Sequence, residues 1–224
     1  MLEEKWKNVV GTSATISLII QFLTGIEICL KFYRQKSTGE TSGLTFIVGS
    51  GMTYIWYMYG NLIEDFSIQF VNLVGLVLQV MYSFFYLAYC SEKRETFAKM
   101  LTVLILVFSL KFYILLEDHL PTAKFRLGIF CCSITVIYCS APLASLQHVC
   151  RERTTASLPF YLILATMLVA AQWTLYGALI SDLFVLIPNL LGCLVALFQL
   201  VLFCVFSDKC RGGHGEYTEV GQDL

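Results

Sequence analysis

The sequence predicts an all-α membrane protein of seven transmembrane helices, built as two parallel three-helix bundles joined by a lone fourth helix (3+1+3). Three observations carry this. Hydrophobic residues make up 57% of the chain and charged residues 14%, with a mean hydropathy of +0.72, too apolar for a soluble domain of 224 residues. At about twenty residues per crossing, that length holds about seven helices with short loops and no folded extramembrane domain. The chain also repeats itself. Shifted by 117 residues, Trp56–Gly75 (WYMYGNLIEDFSIQFVNLVG) falls on Trp173–Gly192 (WTLYGALISDLFVLIPNLLG), with nine of twenty positions identical. The matches pair Trp56 with Trp173, Tyr59 with Tyr176, Gly60 with Gly177, Asp65 with Asp182, Asn72 with Asn189 and Gly75 with Gly192, the mark of an internal duplication.

Helices are predicted at 8–33, 44–63, 66–90, 99–116, 125–150, 158–180 and 183–207. The first follows LEEKWK without a small-residue cleavage pattern and reads as a retained helix. Glu27 in its inner half has Lys31 four residues on, which predicts a pair on one helix face. Helices two and three, like six and seven, are separated by very short turns carrying Asp65 and Asp182, each placed to cap the next helix. In helix four, Lys111 is near enough to the end to reach water with its long side chain. The organisation is then 1–90 (first repeat), 91–124 (linker helix four), 125–207 (second repeat) and a polar, glycine-rich tail, 208–224, that reads as disordered and cytosolic. The tail contains YTEV (217–220), a tyrosine-based pattern of the kind read by sorting machinery.

Three helices per repeat is an odd number, so one additional crossing lets the second copy enter the membrane in the orientation of the first. The repeats are therefore parallel, related by a pseudo-twofold axis along the membrane normal, with a cavity expected on that axis. Lys and Arg mark the sides. The loops after helices one, three and five and the tail carry Lys31, Arg34, Lys36, Lys93, Arg94, Lys99, Arg151, Arg153, Lys209 and Arg211; the other side carries Lys5, Lys7, Lys124 and Arg126. The excess on one side puts the N-terminus outside and the C-terminus in the cytosol.

A net charge of -1 offers no basic field for nucleic acid. Nine cysteines lie mostly in apolar segments with no CxxC pair and no adjacent His, so they read as buried thiols, and the chain calls for no metal and no cofactor. No Ser-His pair or carboxylate dyad suggests an enzyme, and the three histidines fall in or near loops or the tail.

The repeated stretch supplies the candidate site. Trp56 and Trp173 precede their helix ends by about seven residues, and Asn72 and Asn189 follow their helix starts by about six, so all four lie about 10 Å below the same boundary. An Asn amide both donates and accepts, as a sugar hydroxyl does, and an indole face suits the C–H face of a sugar ring. A lone Asn would more simply bond a neighbouring helix and a lone Trp anchor an interface; duplication at fixed spacing and depth argues against both. No charged side chain shares the layer, which speaks against an ion as cargo.

The chain resembles the SWEET family of sugar transporters, animal type. The resemblance rests on SAPLASLQHV (140–149), SLPF (157–160), QWTLYG (172–177) and IPNLLG (187–192) in the second half, and on KSTGETSGLTF (36–46), WYMYG (56–60) and VNLVG (71–75) in the first. It implies a uniporter that moves sugars, monosaccharides such as glucose foremost, down their gradient by rocking two three-helix bundles about a central site. It implies Asn72, Asn189, Trp56 and Trp173 as substrate ligands, with Met52 and Val169, four residues before each Trp, tuning the pocket. It also implies hinge positions, occupied by Pro142 and Pro159 in the second repeat but by Gly25 and Thr45 in the first. Expected partners are a sugar and the lipid bilayer, with room left for a homo-oligomer. The plasma membrane is the expected location, the Golgi or another endomembrane the alternative. Competing readings are a seven-helix receptor, against which the parallel duplication argues, and an exporter of another small neutral metabolite. Related amino-acid exporters typically carry a Pro-Gln dipeptide in each repeat, and none occurs here.

Overall fold

The computed structural model describes residues 2–152, Thr155 and 159–211; the YTEV sequence lies outside the described residues. Eight helices follow one another: α1 (Leu2–Leu23), α2 (Gly25–Gln35), α3 (Leu44–Ile63), α4 (Phe66–Tyr89), α5 (Lys93–Leu115), α6 (Leu120–Glu152), α7 (Phe160–Leu179) and α8 (Leu183–Arg211). Seven crossings result, because α1 and α2 are two pieces of the first one. No strand occurs among the described residues.

The predicted continuous first helix is broken at Thr24, whose hydroxyl turns back to the Gln21 carbonyl at 2.7 Å. Gly25 restarts the helix directly against the Tyr82 ring, which a Cβ at that position would overlap. Tyr82 Oη donates to the Phe22 carbonyl at 3.2 Å, satisfying backbone beside the break. At Pro142, the corresponding residue of the second repeat, α6 continues helically.

Among the described residues, six crossings are long and apolar enough to span a membrane, counting α1 and α2 together. The helix that falls short is α3, diluted by Ser50, Thr53, its tyrosines and its glycines. It is also packed by α4, α5 and α6, so it meets little lipid. Elsewhere side chains that a soluble fold would bury, such as Phe66, Leu106, Phe112 and Leu115, stand on the outer surface, as a bilayer demands.

Within the first repeat the packing order is α1–α4–α3, and within the second α6–α8–α7. Across repeats, α1 packs on α7 and α3 on α6. Exchanging α1 with α6, α3 with α7 and α4 with α8 leaves this set unchanged, which is a pseudo-twofold axis between parallel repeats. Helix α5 packs on α3 and α4, against the first repeat.

The short turns are the same in both copies. Glu64 and Ser181, 117 residues apart, are left-handed (φ 58° and 55°). Asp65 N–H bonds the Gly60 carbonyl at 3.0 Å and Glu64 N–H that of Asn61 at 3.3 Å; Asp182 bonds Gly177 at 2.9 Å and Ser181 bonds Ala178 at 3.1 Å. This paired closure ends one helix on a left-handed residue, and the following Asp starts the next. Glycine is required before each turn: a Cβ on Gly60 would approach the Gln69 backbone nitrogen to 2.9 Å, and one on Gly177 that of Leu186 to 2.7 Å.

Two expectations need correction. Glu27 and Lys31 both project outward, and no ion pair joins them among the described residues; the pairs present are Glu95–Lys99 at 2.6 Å, Glu117–Arg126 at 2.6 Å and Lys7–Asp65 at 4.0 Å. The cysteines are not uniformly buried: Cys29, Cys90 and Cys131 are, whereas Cys204 is exposed, because a lipid-facing thiol is as well solvated as an apolar residue.

Candidate functional site

A cavity of about 100 Å³ lies between the repeats, lined by Leu18, Trp56, Ile68, Asn72, Thr135, Trp173, Val185 and Asn189. These eight residues are four pairs, each related by the 117-residue shift: Leu18 with Thr135, Trp56 with Trp173, Ile68 with Val185, Asn72 with Asn189. A cavity walled by equivalent positions of both copies sits on the pseudo-twofold axis. The structure thus brings together the four residues singled out by the repeat. A second cavity, about 330 Å³ between α3, α4 and α5, is larger but nearly all apolar. Its two serines, Ser50 and Ser83, bond carbonyls of their own helices, so it offers little to a polar ligand.

Each site asparagine bonds within its own helix, not across to another: Asn72 Nδ2 donates to the Ile68 carbonyl at 2.9 Å and Asn189 Nδ2 to that of Val185 at 2.7 Å. One N–H of each amide is thereby held, which fixes the side-chain rotamer and leaves a second N–H and the carbonyl oxygen for a ligand. Among the described residues, none that lines the cavity is charged.

The structure reaches beyond the predicted ligands at the turns. Asp65 and Asp182 do cap α4 and α8, Asp65 accepting from Ile68 N–H at 3.1 Å and Asp182 from Val185 N–H at 3.1 Å. Their other oxygens accept from across the axis. Tyr59 Oη donates to Asp182 Oδ2 at 2.7 Å and Tyr176 Oη to Asp65 Oδ2 at 2.7 Å. Each tyrosine stands edge-on to the site tryptophan three residues before it, with ring centroids 5.8 Å apart for Trp56–Tyr59 and 5.5 Å for Trp173–Tyr176. Gly11 makes room for this, since a Cβ there would meet the Tyr176 ring at 2.6 Å. The tyrosines were visible in the repeat as identical positions, but nothing in a linear sequence pairs each with the opposite aspartate. Leu18 and Thr135 carried no such signal, being chemically unlike.

The apolar cores show where the repeats are joined. One cluster, including Ala14, Tyr59, Ile68, Leu127, Tyr176 and Val185, draws on both repeats and lies toward the turns carrying Asp65 and Asp182. Toward the other end the clusters of the described residues are separate: Cys29, Phe32, Phe46 and Tyr82 in the first repeat, Val149, Ile163, Ala196 and Leu202 in the second. The aspartate end is latched, and among the described residues the opposite end has a core cluster in each bundle.

Met52 and Val169 do not line the cavity in this state; Val169 packs against the shared core. They are one turn, about 6 Å, farther from the latched end than the tryptophans. Of the positions expected to act as hinges, Gly25 lies at the break between α1 and α2, Thr45 is the second residue of α3, Pro159 precedes α7, and Pro142 is inside α6.

Parallel three-helix repeats, a lone connecting helix and an uncharged axial cavity latched at one end define a membrane carrier of the two-repeat kind. The family of sugar efflux transporters for intercellular exchange matches residues 8–94 and again 125–211, two segments offset by the same 117 residues. The chain belongs to that family. It is 42% identical over 93% of its length, and 93% of the relative's, to a protein named sugar transporter SWEET1 from Drosophila pseudoobscura pseudoobscura. A protein of the same name from Caenorhabditis elegans is 34% identical over 88% of this chain and 65% of its own. The fold matches a solved eukaryotic SWEET transporter with a TM-score of 0.86 at 24% identity, over 93% of this chain and all of that one.

Proposed function

We propose that this protein is a uniporter of sugars, monosaccharides such as glucose foremost, working by alternating access of one axial site. The observation that carries the reading is the composition of that site: two asparagines, two tryptophans and no charge, drawn equally from both repeats. Amides exchange hydrogen bonds with hydroxyls, and indoles cover the apolar face of a ring. Asn72 and Asn189 are the polar ligands, Trp56 and Trp173 the walls, with Met52 and Val169 lining the route as the bundles move. Among the described residues, nothing ionisable lines the cavity to couple a proton or sodium ion to the cargo, which favours transport down the gradient only.

The two repeats, 1–90 and 125–207, move against each other, with helix four (91–124) riding on the first. The Lys and Arg distribution supports an outer aspartate end, an external N-terminus and a cytosolic tail; the plasma membrane is the location we infer. The latched aspartate end and separate opposite cores then correspond to a state closed to the outside. Its work is translocation without chemistry, and the reading requires no cofactor.

The test is uptake of labelled glucose by liposomes containing only this protein. Equilibration to the external concentration, unaffected by an imposed proton or sodium gradient, is expected. Accumulation above that concentration, abolished by an ionophore, would replace uniport with coupled transport, and no uptake of glucose or other neutral sugars would reject the reading.

A further inference from the structure

Four buried side-chain polar atoms lack a partner among the described residues: Thr15 Oγ1, Gln79 Oε1, Gln172 Oε1 and Trp173 Nε1. Of these residues only Trp173 lines the axial cavity. Its pseudosymmetric twin is in a different state. Trp56 Nε1 donates to Thr135 Oγ1 at 3.1 Å, and Thr135 Oγ1 in turn donates to the Cys131 carbonyl at 2.8 Å. The threonine proton is therefore committed, and its oxygen is held as the acceptor for Trp56. The residue placed to do the same for Trp173 is Leu18, 117 positions before Thr135, and a leucine accepts nothing. Trp173 is 5% exposed, so its indole N–H is kept from bulk water and finds no acceptor on the protein. Burying a donor in this way is unfavourable unless something completes it.

Resting on the sugar-transport reading, we propose that Trp173 Nε1 donates to a hydroxyl of the bound sugar, whereas Trp56, its N–H already taken, offers only its ring. A site with perfect twofold symmetry would hold an asymmetric sugar equally well in two opposed poses. Here the Leu18/Thr135 difference removes the equivalence, and the sugar is held in the one pose that brings a hydroxyl to Trp173. Leu18 is then a specificity-determining position because it withholds an acceptor.

The experiment compares Leu18→Thr with Leu18→Val in purified full-length protein. The two side chains share shape and branching, so their difference isolates the hydroxyl. With the introduced hydroxyl occupying the Trp173 N–H, glucose should bind about fivefold more weakly to the Thr variant than to the Val variant. In a monodeoxyglucose series, the isomer lacking the contacted hydroxyl should bind both variants equally. Equal glucose affinity in the two variants overturns the proposal. A measurement on the wild-type protein stands beside these: with indole nitrogens labelled, the Trp173 N–H resonance should move downfield on saturation with glucose, and a stationary resonance in glucose-saturated protein overturns the proposal too. If wild-type protein binds no sugar, the transport reading falls and this inference with it. If sugar binds but the Leu18 pair is indistinguishable, this inference alone falls.

Discussion

Tyr59 of the first repeat donates its hydroxyl proton to Asp182 of the second at 2.7 Å, and Tyr176 returns the bond to Asp65 at 2.7 Å. The aspartates cannot drift, because each also caps a helix, and the tyrosines are braced edge-on by the site tryptophans. A latch between the repeats is thus joined directly to the tryptophans that line the axial cavity. A hydrogen bond to a charged acceptor contributes about 1.5–3 kcal/mol, so losing one should favour opening of this end by about ten- to 150-fold. Tyr59→Phe, and more so Tyr59→Phe with Tyr176→Phe, should speed hydrogen exchange in backbone segments 60–70 and 177–187. Unchanged exchange in the double variant would mean that the apolar core, not these bonds, keeps the end shut.

The asparagines are expected to be ligands with little structural duty. Among the described residues, each amide bonds only a carbonyl of its own helix, a carbonyl the backbone ladder already serves. Asn72→Ala and Asn189→Ala should therefore leave the melting temperature nearly unchanged. Sugar binding should weaken by about five- to 150-fold, the equivalent of about 1–3 kcal/mol for an amide lost from a dehydrated site. Melting and glucose titration on the same purified variants check this, and the opposite pattern would mark both residues as structural.

The positions expected to act as hinges give a second set of tests. Pro142→Ala and Pro159→Ala should slow sugar exchange more than they weaken binding, since a proline hinge sets the ease of bundle motion rather than the contacts to the sugar. Equal losses would point to misfolding. Thr45→Pro should be tolerated, because position 45 lies in the first turn of α3, where a backbone N–H has no helical acceptor to lose.

Gly25→Ala should be costly, for a different reason. Its methyl group would overlap the Tyr82 ring, and overpacking of this kind costs about 1–3 kcal/mol. Thermal melting should show the loss, and Tyr82→Leu in the same chain should recover part of it. No recovery would place the strain in the broken backbone itself.

Much was determined by the sequence alone, because membrane folds leave strong linear traces. A bilayer forces every buried backbone group into a helix, so apolar length marks crossings, and short polar turns mark their ends. The duplication then fixed the symmetry, and the symmetry led to Trp56, Trp173, Asn72 and Asn189 without any coordinates. What failed to show was whatever depends on who faces whom. Thr24 looks ordinary in sequence, yet the first helix is interrupted there, next to Gly25 and the Tyr82 ring that packs against it from nearly sixty residues on. The Tyr–Asp latch joins residues more than a hundred positions apart. Leu18 and Thr135 are equivalent by position and opposite in chemistry, so no identity match could flag them. Hydropathy and repetition are properties of a chain read in order. A hydrogen bond across a pseudo-twofold axis exists only once two bundles have packed, and it was there that tertiary structure decided which of two equivalent tryptophans keeps its proton free.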